Sequence, residues 1–196
     1  MKQSTTKWVL GHKVTPHNTT GNYDLALGET PPGVPGPPPH LHHNLEESFL
    51  ITEGEMEFMI NGETRIVNAG ESIDLPPNTL HTFRNAGTEP CKWVNIHSPK
   101  GFRAFFEKLG IESEKDNARE DSVAPHIIEE VIKTAASYDM QIKMQVFIGS
   151  AKKYHNTPET YREIKALFPL DNYRVCSTNF INHSKLKTPE LKSGRF

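Results

Sequence analysis

Ser48-Phe49-Leu50-Ile51-Thr52-Glu53-Gly54-Glu55-Met56-Glu57-Phe58-Met59-Ile60-Asn61-Gly62 decides the fold. Phe49 and Ile51 share one face of an extended chain, Met56, Phe58 and Ile60 form another run of the same period, and Glu55 and Glu57 alternate with them. Asn-Gly between alternating runs is a strong short hairpin signal, because both residues accept the positive φ that a tight two-residue turn needs. Further short strands follow at Thr64 to Val67, Ser72 to Leu75, Leu80 to Arg84 and Lys92 to Ile96, separated by Ala69-Gly70 and Pro76-Pro77-Asn78. Lys7 to Val14 and Tyr23 to Leu27 supply entry strands. Strands this short and this closely spaced predict a mainly β fold, a small antiparallel β-barrel or sandwich.

Immediately upstream, Pro31-Pro32-Gly33-Val34-Pro35-Gly36-Pro37-Pro38-Pro39 forbids helix and lacks ladder donors. It is expected to be a stiff rim segment that delivers His40 in a nearly fixed direction. His40 and His42 then aim the same way if their segment is extended. Glu47 shares parity with Phe49 and Ile51, and His81 with Phe83, whereas Glu46 pairs in parity with Ser48 and Thr52. That pattern selects His40, His42, Glu47 and His81 as metal ligands and leaves Glu46 and His43 facing outward. Three imidazoles and a carboxylate suit a divalent transition metal, Fe, Ni, Mn, Co, Cu or Zn, without choosing among them. Histidines 12, 17, 97, 126, 155 and 183 have no ligand spacing.

These residues resemble a known family. His40-Leu41-His42, Glu47 and Gly54 resemble the first cupin motif, and Gly70, Pro76, His81 and Asn85 the second, in order and spacing. Two positions depart from it: Val34 stands where the first motif leads with glycine, and Asn78 replaces a turn glycine. The closer likeness is to single-domain bacterial cupins similar to quercetin 2,3-dioxygenase, through the proline-rich approach to His40, the run Pro76 to Asn85, and Pro99-Lys100-Gly101-Phe102-Arg103-Ala104-Phe105-Phe106 after the strands. The resemblance implies a jelly-roll barrel whose mouth binds one divalent metal. It also implies a dioxygenase-like reaction on a small aromatic or enolisable substrate, with Glu47 as a ligand that doubles as general base. Non-catalytic cupins that bind or sense small molecules, and metal-dependent isomerases or decarboxylases, are the alternatives. Cupins commonly dimerise through the outer sheet, so a homodimer is expected.

The period changes after Pro99. Phe102, Phe105, Phe106 and Leu109 fall at helical spacing before Gly110, and Ile127, Ile128, Val131, Ile132 and Ala135 mark a second helix with Pro125 in its first turn. Glu112 to Asp121 is charged and reads as a solvated link. Met144 to Ile148 reads as a strand and the stretch from Thr157 as a helix, Tyr173 to Phe180 is ambiguous, and the end from Ser184 is basic. The expected organisation is a β-barrel over 1–99 and a mainly helical extension over 100–196 that packs on the barrel or on a partner subunit.

Charge and composition exclude some partners. Lys+Arg 22 against Asp+Glu 24 gives net charge -2, which leaves no footprint for nucleic acid or an anionic membrane. The first residues lack a signal peptide's apolar run, and nothing approaches the ~20 apolar residues of a membrane span, so a cytoplasmic protein is expected. Cys91 and Cys176 stand far apart and read as free thiols.

Overall fold

The computed structural model describes residues 4–143. Expectations for Met144 to Ile148, for the helix from Thr157, for Tyr173 to Phe180 and the basic end, and for Cys176, His155 and His183 therefore lie outside the described residues.

Two antiparallel sheets stack face to face in the flattened form of a jelly-roll barrel. The strands are β1 Lys7–Val9, β2 His12–His17, β3 Asp24–Thr30, β4 His40–Leu41, β5 Glu46–Glu53, β6 Glu55–Ile60, β7 Glu63–Asn68, β8 Ser72–Leu75, β9 His81–Arg84 and β10 Cys91–Ser98. Three helices and two short strands follow: α1 Arg103–Leu109, β11 Ile111–Glu112, α2 Ala118–Asp121, α3 Pro125–Thr134 and, after a 3₁₀ turn Ala135–Tyr138, β12 Gln141–Ile142. One sheet has the order β11-β1-β2-β3-β10-β5-β8 and the other β12-β4-β9-β6-β7. The predicted strands therefore pair as two sheets rather than one closed ladder.

Local chemistry explains the turns. Asn61 and Gly62 take φ values of 49° and 91° and set Ile60 opposite Glu63, the hairpin read from the sequence. Asn78 has φ 66° and so supplies the left-handed conformation of the glycine it replaces. The expected single strand from Lys7 to Val14 is divided by a turn at Leu10 and Gly11, φ 50° and 83°. Leucine rarely adopts positive φ, so Gly11 is the one turn signal in that stretch.

The proline-rich segment runs against the edge of β9. Gly33 N–H donates to the Asn85 carbonyl at 3.0 Å, Asn85 N–H to the Val34 carbonyl at 3.2 Å, and the Thr82 hydroxyl to the Pro37 carbonyl at 2.6 Å. A Cβ on Gly36 would stand 1.9 Å from the Phe83 carbonyl oxygen, so only glycine permits this approach. The segment then enters β4, with His40 opposite His81.

Between the sheets lies an aromatic core. Phe49 sits 5.2 Å from both Phe58 and Phe83 and 5.5 Å from Trp93, ring centre to ring centre, in the tilted and edge-on geometries that aromatic pairs favour. Helix α1 buries Phe105, Phe106 and Leu109 as its periodicity predicts, and its start is pinned by buried Asp24, whose Oδ2 accepts the N–H groups of Gly101 at 2.7 Å and Arg103 at 3.0 Å. Helix α3 begins with Pro125 and buries Ile128 and Val131. Glu112 to Asp121 corrects the solvated-link reading: Ile111 and Glu112 pair with β1, and Ala118 is buried. Cys91 is a buried free thiol whose pKa is raised to about 11, chiefly by burial. Among the described residues no helix is long and apolar enough to cross a membrane.

Candidate metal centre

Four side chains from three strands of two sheets meet at one point. His40 and His42 come from β4 and its end, Glu47 from β5, and His81 from β9; all four are buried. One ligand atom from each lies within 4.8 Å of the others. His81 Nε2 stands 2.9 Å and His42 Nε2 3.4 Å from Glu47 Oε2. Strand parity sorts the neighbours as expected: Glu46 and His43 are exposed, and His43 Nδ1 contacts the Asn78 side chain at 2.7 Å.

Backbone carbonyls orient each imidazole. The Nδ1 of His40, His42 and His81 lies 2.9 Å from the carbonyl oxygens of Pro38, Asp139 and Thr79 respectively. A carbonyl only accepts, so each Nδ1 carries a proton, and in the neutral ring each Nε2 presents a lone pair. The Nε2 atoms of His42 and His81 and the Oε2 of Glu47 are buried without a properly directed hydrogen bond. Lone pairs and a carboxylate converging in a buried site repel one another unless a cation or an added proton lies between them. Neutral imidazoles fixed through Nδ1 are the arrangement typical of metal ligands. The residues therefore fit a divalent transition metal.

Electrostatics keeps the carboxylate charged. Burial works against a charge on Glu47, but His97, His42 and His81 outweigh it and hold the carboxyl well below its usual range. Burial also opposes a proton on His42, yet contact with Glu47 prevails and raises its pKa. His40 is driven the other way, by burial and then by the neighbouring His81.

Two residues on β10 complete the surroundings of Glu47. Asn95 Nδ2 donates to Glu47 Oε1 at 2.9 Å, and His97 Nε2 lies 3.2 Å from the same oxygen. His97 faces Glu47 in register across the β5–β10 pair and stacks on Phe102 at 4.0 Å. Ligand spacing passed over His97. Parity on β10 would have found it, since Trp93, Asn95 and His97 all point inward.

Beside the ligands is a cavity of about 50 Å³, to which Phe49, Phe83, Trp93, Phe102 and Met140 contribute apolar wall and His40 and Glu47 polar atoms. It is far smaller than the roughly 300–1,000 Å³ of pockets that enclose drug-sized ligands. His12, also set aside by spacing, is buried in its wall, with Nδ1 3.0 Å from the Thr30 hydroxyl, which in turn receives Trp93 Nε1–H at 2.9 Å. Burial pushes the His12 pKa from 6.5 down to about 4, against a smaller opposing effect of the Pro35 backbone. The folded chain thus refuses a proton that the unfolded chain accepts below pH 6.5. Stability is predicted to fall as pH drops from about 6.5 to about 4, with His12 accounting for on the order of 3 kcal/mol. Denaturation midpoints across that window should slope less in His12→Gln; equal slopes would refute the assignment.

With the geometry described, likeness to known proteins can be judged. Residues 26–97, which hold all four clustered side chains and His97, match the cupin domain family Cupin_2. Residues 26–97 are a cupin domain. Quercetin 2,3-dioxygenase of Bacillus subtilis (strain 168) is 31% identical over 93 residues, 47% of this chain and 27% of that protein. Mannose-1-phosphate guanylyltransferase RfbM of Salmonella typhimurium is 33% identical over 58 residues, 30% of this chain and 12% of that one. The chain thus spans only about a quarter or less of the length of these two relatives. The solved structure of KdgF from Halomonas sp. superposes with a TM-score of 0.43 at 20% identity, covering 46% of this chain and 80% of that one.

Proposed function

We propose that this cupin is a metal-dependent, dioxygenase-like oxidoreductase acting on a small aromatic or enolisable molecule. His40, His42, Glu47 and His81 would hold one divalent transition metal. The observation that carries this reading is the set of buried imidazoles locked through Nδ1, with a charged carboxylate among them, opening onto an apolar cavity.

A bound metal would supply Lewis-acid polarisation and lower the pKa of a hydroxyl placed on it. The chain's own residues do the rest. Glu47 takes the proton of the substrate hydroxyl through Oε2, while Asn95 and His97 keep hold of Oε1 so that the carboxylate stays aimed. Phe49, Phe83 and Phe102 exclude water and offer faces to a flat substrate. Because a cavity of about 50 Å³ holds only a few waters, a flavonol needs the α1 wall to move, whereas a compact enol needs less.

The test is oxygen uptake by protein loaded with Fe, Ni, Mn, Co or Cu and offered flavonols and smaller keto-enols. Uptake linked to substrate loss supports the reading; full metal occupancy with no uptake on any of them contradicts it. Turnover without oxygen would instead favour an isomerase or decarboxylase. The small cavity favours a second reading, a non-catalytic cupin that binds or senses a small molecule, for which tight binding without turnover is the signature.

A second copy of the chain is the proposed partner. On the outer face of the larger sheet, Leu27, Val94 and Leu50 lie side by side across β3, β10 and β5, with Leu27 and Leu50 45% and 42% exposed. Leu27→Lys with Leu50→Lys should convert a dimer to a monomer in sedimentation; a wild-type monomer would contradict the proposal.

A further inference from the structure

Asp139 reaches the metal centre from the far end of the described chain. It ends the 3₁₀ turn in the left-handed conformation, φ 61°. Backbone geometry alone would favour glycine at such a position, so the carboxylate invites a separate explanation. One of its oxygens accepts the His43 N–H at 3.1 Å, and the other accepts those of Asn44 at 2.7 Å and Leu45 at 2.9 Å. Its backbone carbonyl accepts His42 Nδ1–H at 2.9 Å. One residue therefore sets the ring direction of a ligand and ties down the loop directly after it.

The residues after Asp139 continue the attachment. Met140 is 2% exposed and forms part of the cavity wall. Gln141 and Ile142 pair with Leu41 and His40, and Lys143 N–H donates to the Pro39 carbonyl at 2.7 Å. Strand β4 is two residues long, with β9 on one edge and β12 on the other. So the strand that bears His40 and leads directly into His42 is completed by a segment about a hundred residues later in sequence.

We infer that Asp139 is a positioning residue for His42, and that residues 139–143 form a clasp whose docking and metal binding at His40, His42, Glu47 and His81 stabilise one another. The inference rests on the metal reading of the site. Without the Asp139 carbonyl in place, the His42 ring is free to turn and to carry its proton on either nitrogen, and loss of such an outer partner typically costs 10–100-fold in metal affinity. The coupling is reciprocal: a metal that requires an oriented His42 must strengthen the clasp by the same factor that the clasp strengthens metal binding.

The test uses the full chain and Zn²⁺ in competition with a coloured chelator. Asp139→Gly keeps the left-handed backbone but removes every carboxylate contact that holds the residue 139 carbonyl against His42, and Asp139→Asn keeps one oxygen acceptor. Affinity should fall about 10–100-fold in Asp139→Gly and less in Asp139→Asn. Val67→Ala, a core substitution on β7 outside the site, controls for general destabilisation and should bind Zn²⁺ as the wild type does. Amide hydrogen exchange supplies a second readout, in which the Gln141 and Lys143 amides of the wild type, which face β4 and Pro39, exchange more slowly when Zn²⁺ is bound. Unchanged affinity in Asp139→Gly together with metal-independent exchange at 141–143 overturns the inference. A wild-type chain that binds no Zn²⁺, Ni²⁺ or Fe²⁺ overturns the metal reading itself, and the clasp's coupling with it.

Discussion

Glu47→Ala is expected to lower turnover by about 10²- to 10⁴-fold, the usual contribution of a positioned general base. Glu47 is 5% exposed, faces His42 and His81 through Oε2, and is held through Oε1 by Asn95 and His97. No other described carboxylate joins this cluster. If the protein turns over substrate, no neighbouring acid can replace Glu47. Glu47→Gln separates charge from size: the amide preserves packing and cannot take the proton, so its loss should approach that of alanine. Steady-state kinetics with metal content measured on the same samples is the check. If both variants bind metal and ligand more weakly but turnover per bound metal is unchanged, Glu47 is only a ligand. A fall confined to ligand binding, with no turnover in the wild type, would support the sensing alternative.

Phe58→Ala is expected to destabilise the fold by about 3–5 kcal/mol, the cost of deleting a fully buried aromatic ring. Phe58 is 0% exposed and packs on Phe49 at 5.2 Å and Phe83 at 5.8 Å, yet it does not line the cavity. Phe49 and Phe83 belong to both the core and the cavity wall, so their truncation would mix stability with binding. Chemical denaturation should show the full loss in Phe58→Ala, with metal affinity of the folded fraction unchanged. A loss under 1 kcal/mol would mean that the cluster is not the centre of the core.

Much of this was legible in the residues because it depends on short-range geometry. Period two carried β5 and β6, Asn61-Gly62 carried the turn from β6 to β7, and the proline run carried the rim; each is a property of neighbouring residues. The four clustered side chains were legible because motif spacing and strand parity agreed on them. Parity was applied to β5 and β9 but not to β10, which is why Asn95 and His97 were passed over. Other features had no local signal. Leu10 takes a conformation leucine seldom adopts, Ala118 is buried within a charged stretch by contacts the stretch itself does not encode, and Asp24 holds the start of a helix 79 residues away. Asp139 acts on His42 through its main chain, and a carbonyl oxygen has no residue identity to read.

Metal analysis tests the central claim most directly. Wild-type protein dialysed against each divalent transition metal and then desalted should retain one equivalent per chain of at least one of them. His81→Ala should retain none while keeping a cooperative unfolding transition, since His81 Nε2 faces Glu47 with no other partner. Retention of the same equivalent by His81→Ala, or no retained metal in the wild type, would contradict the account.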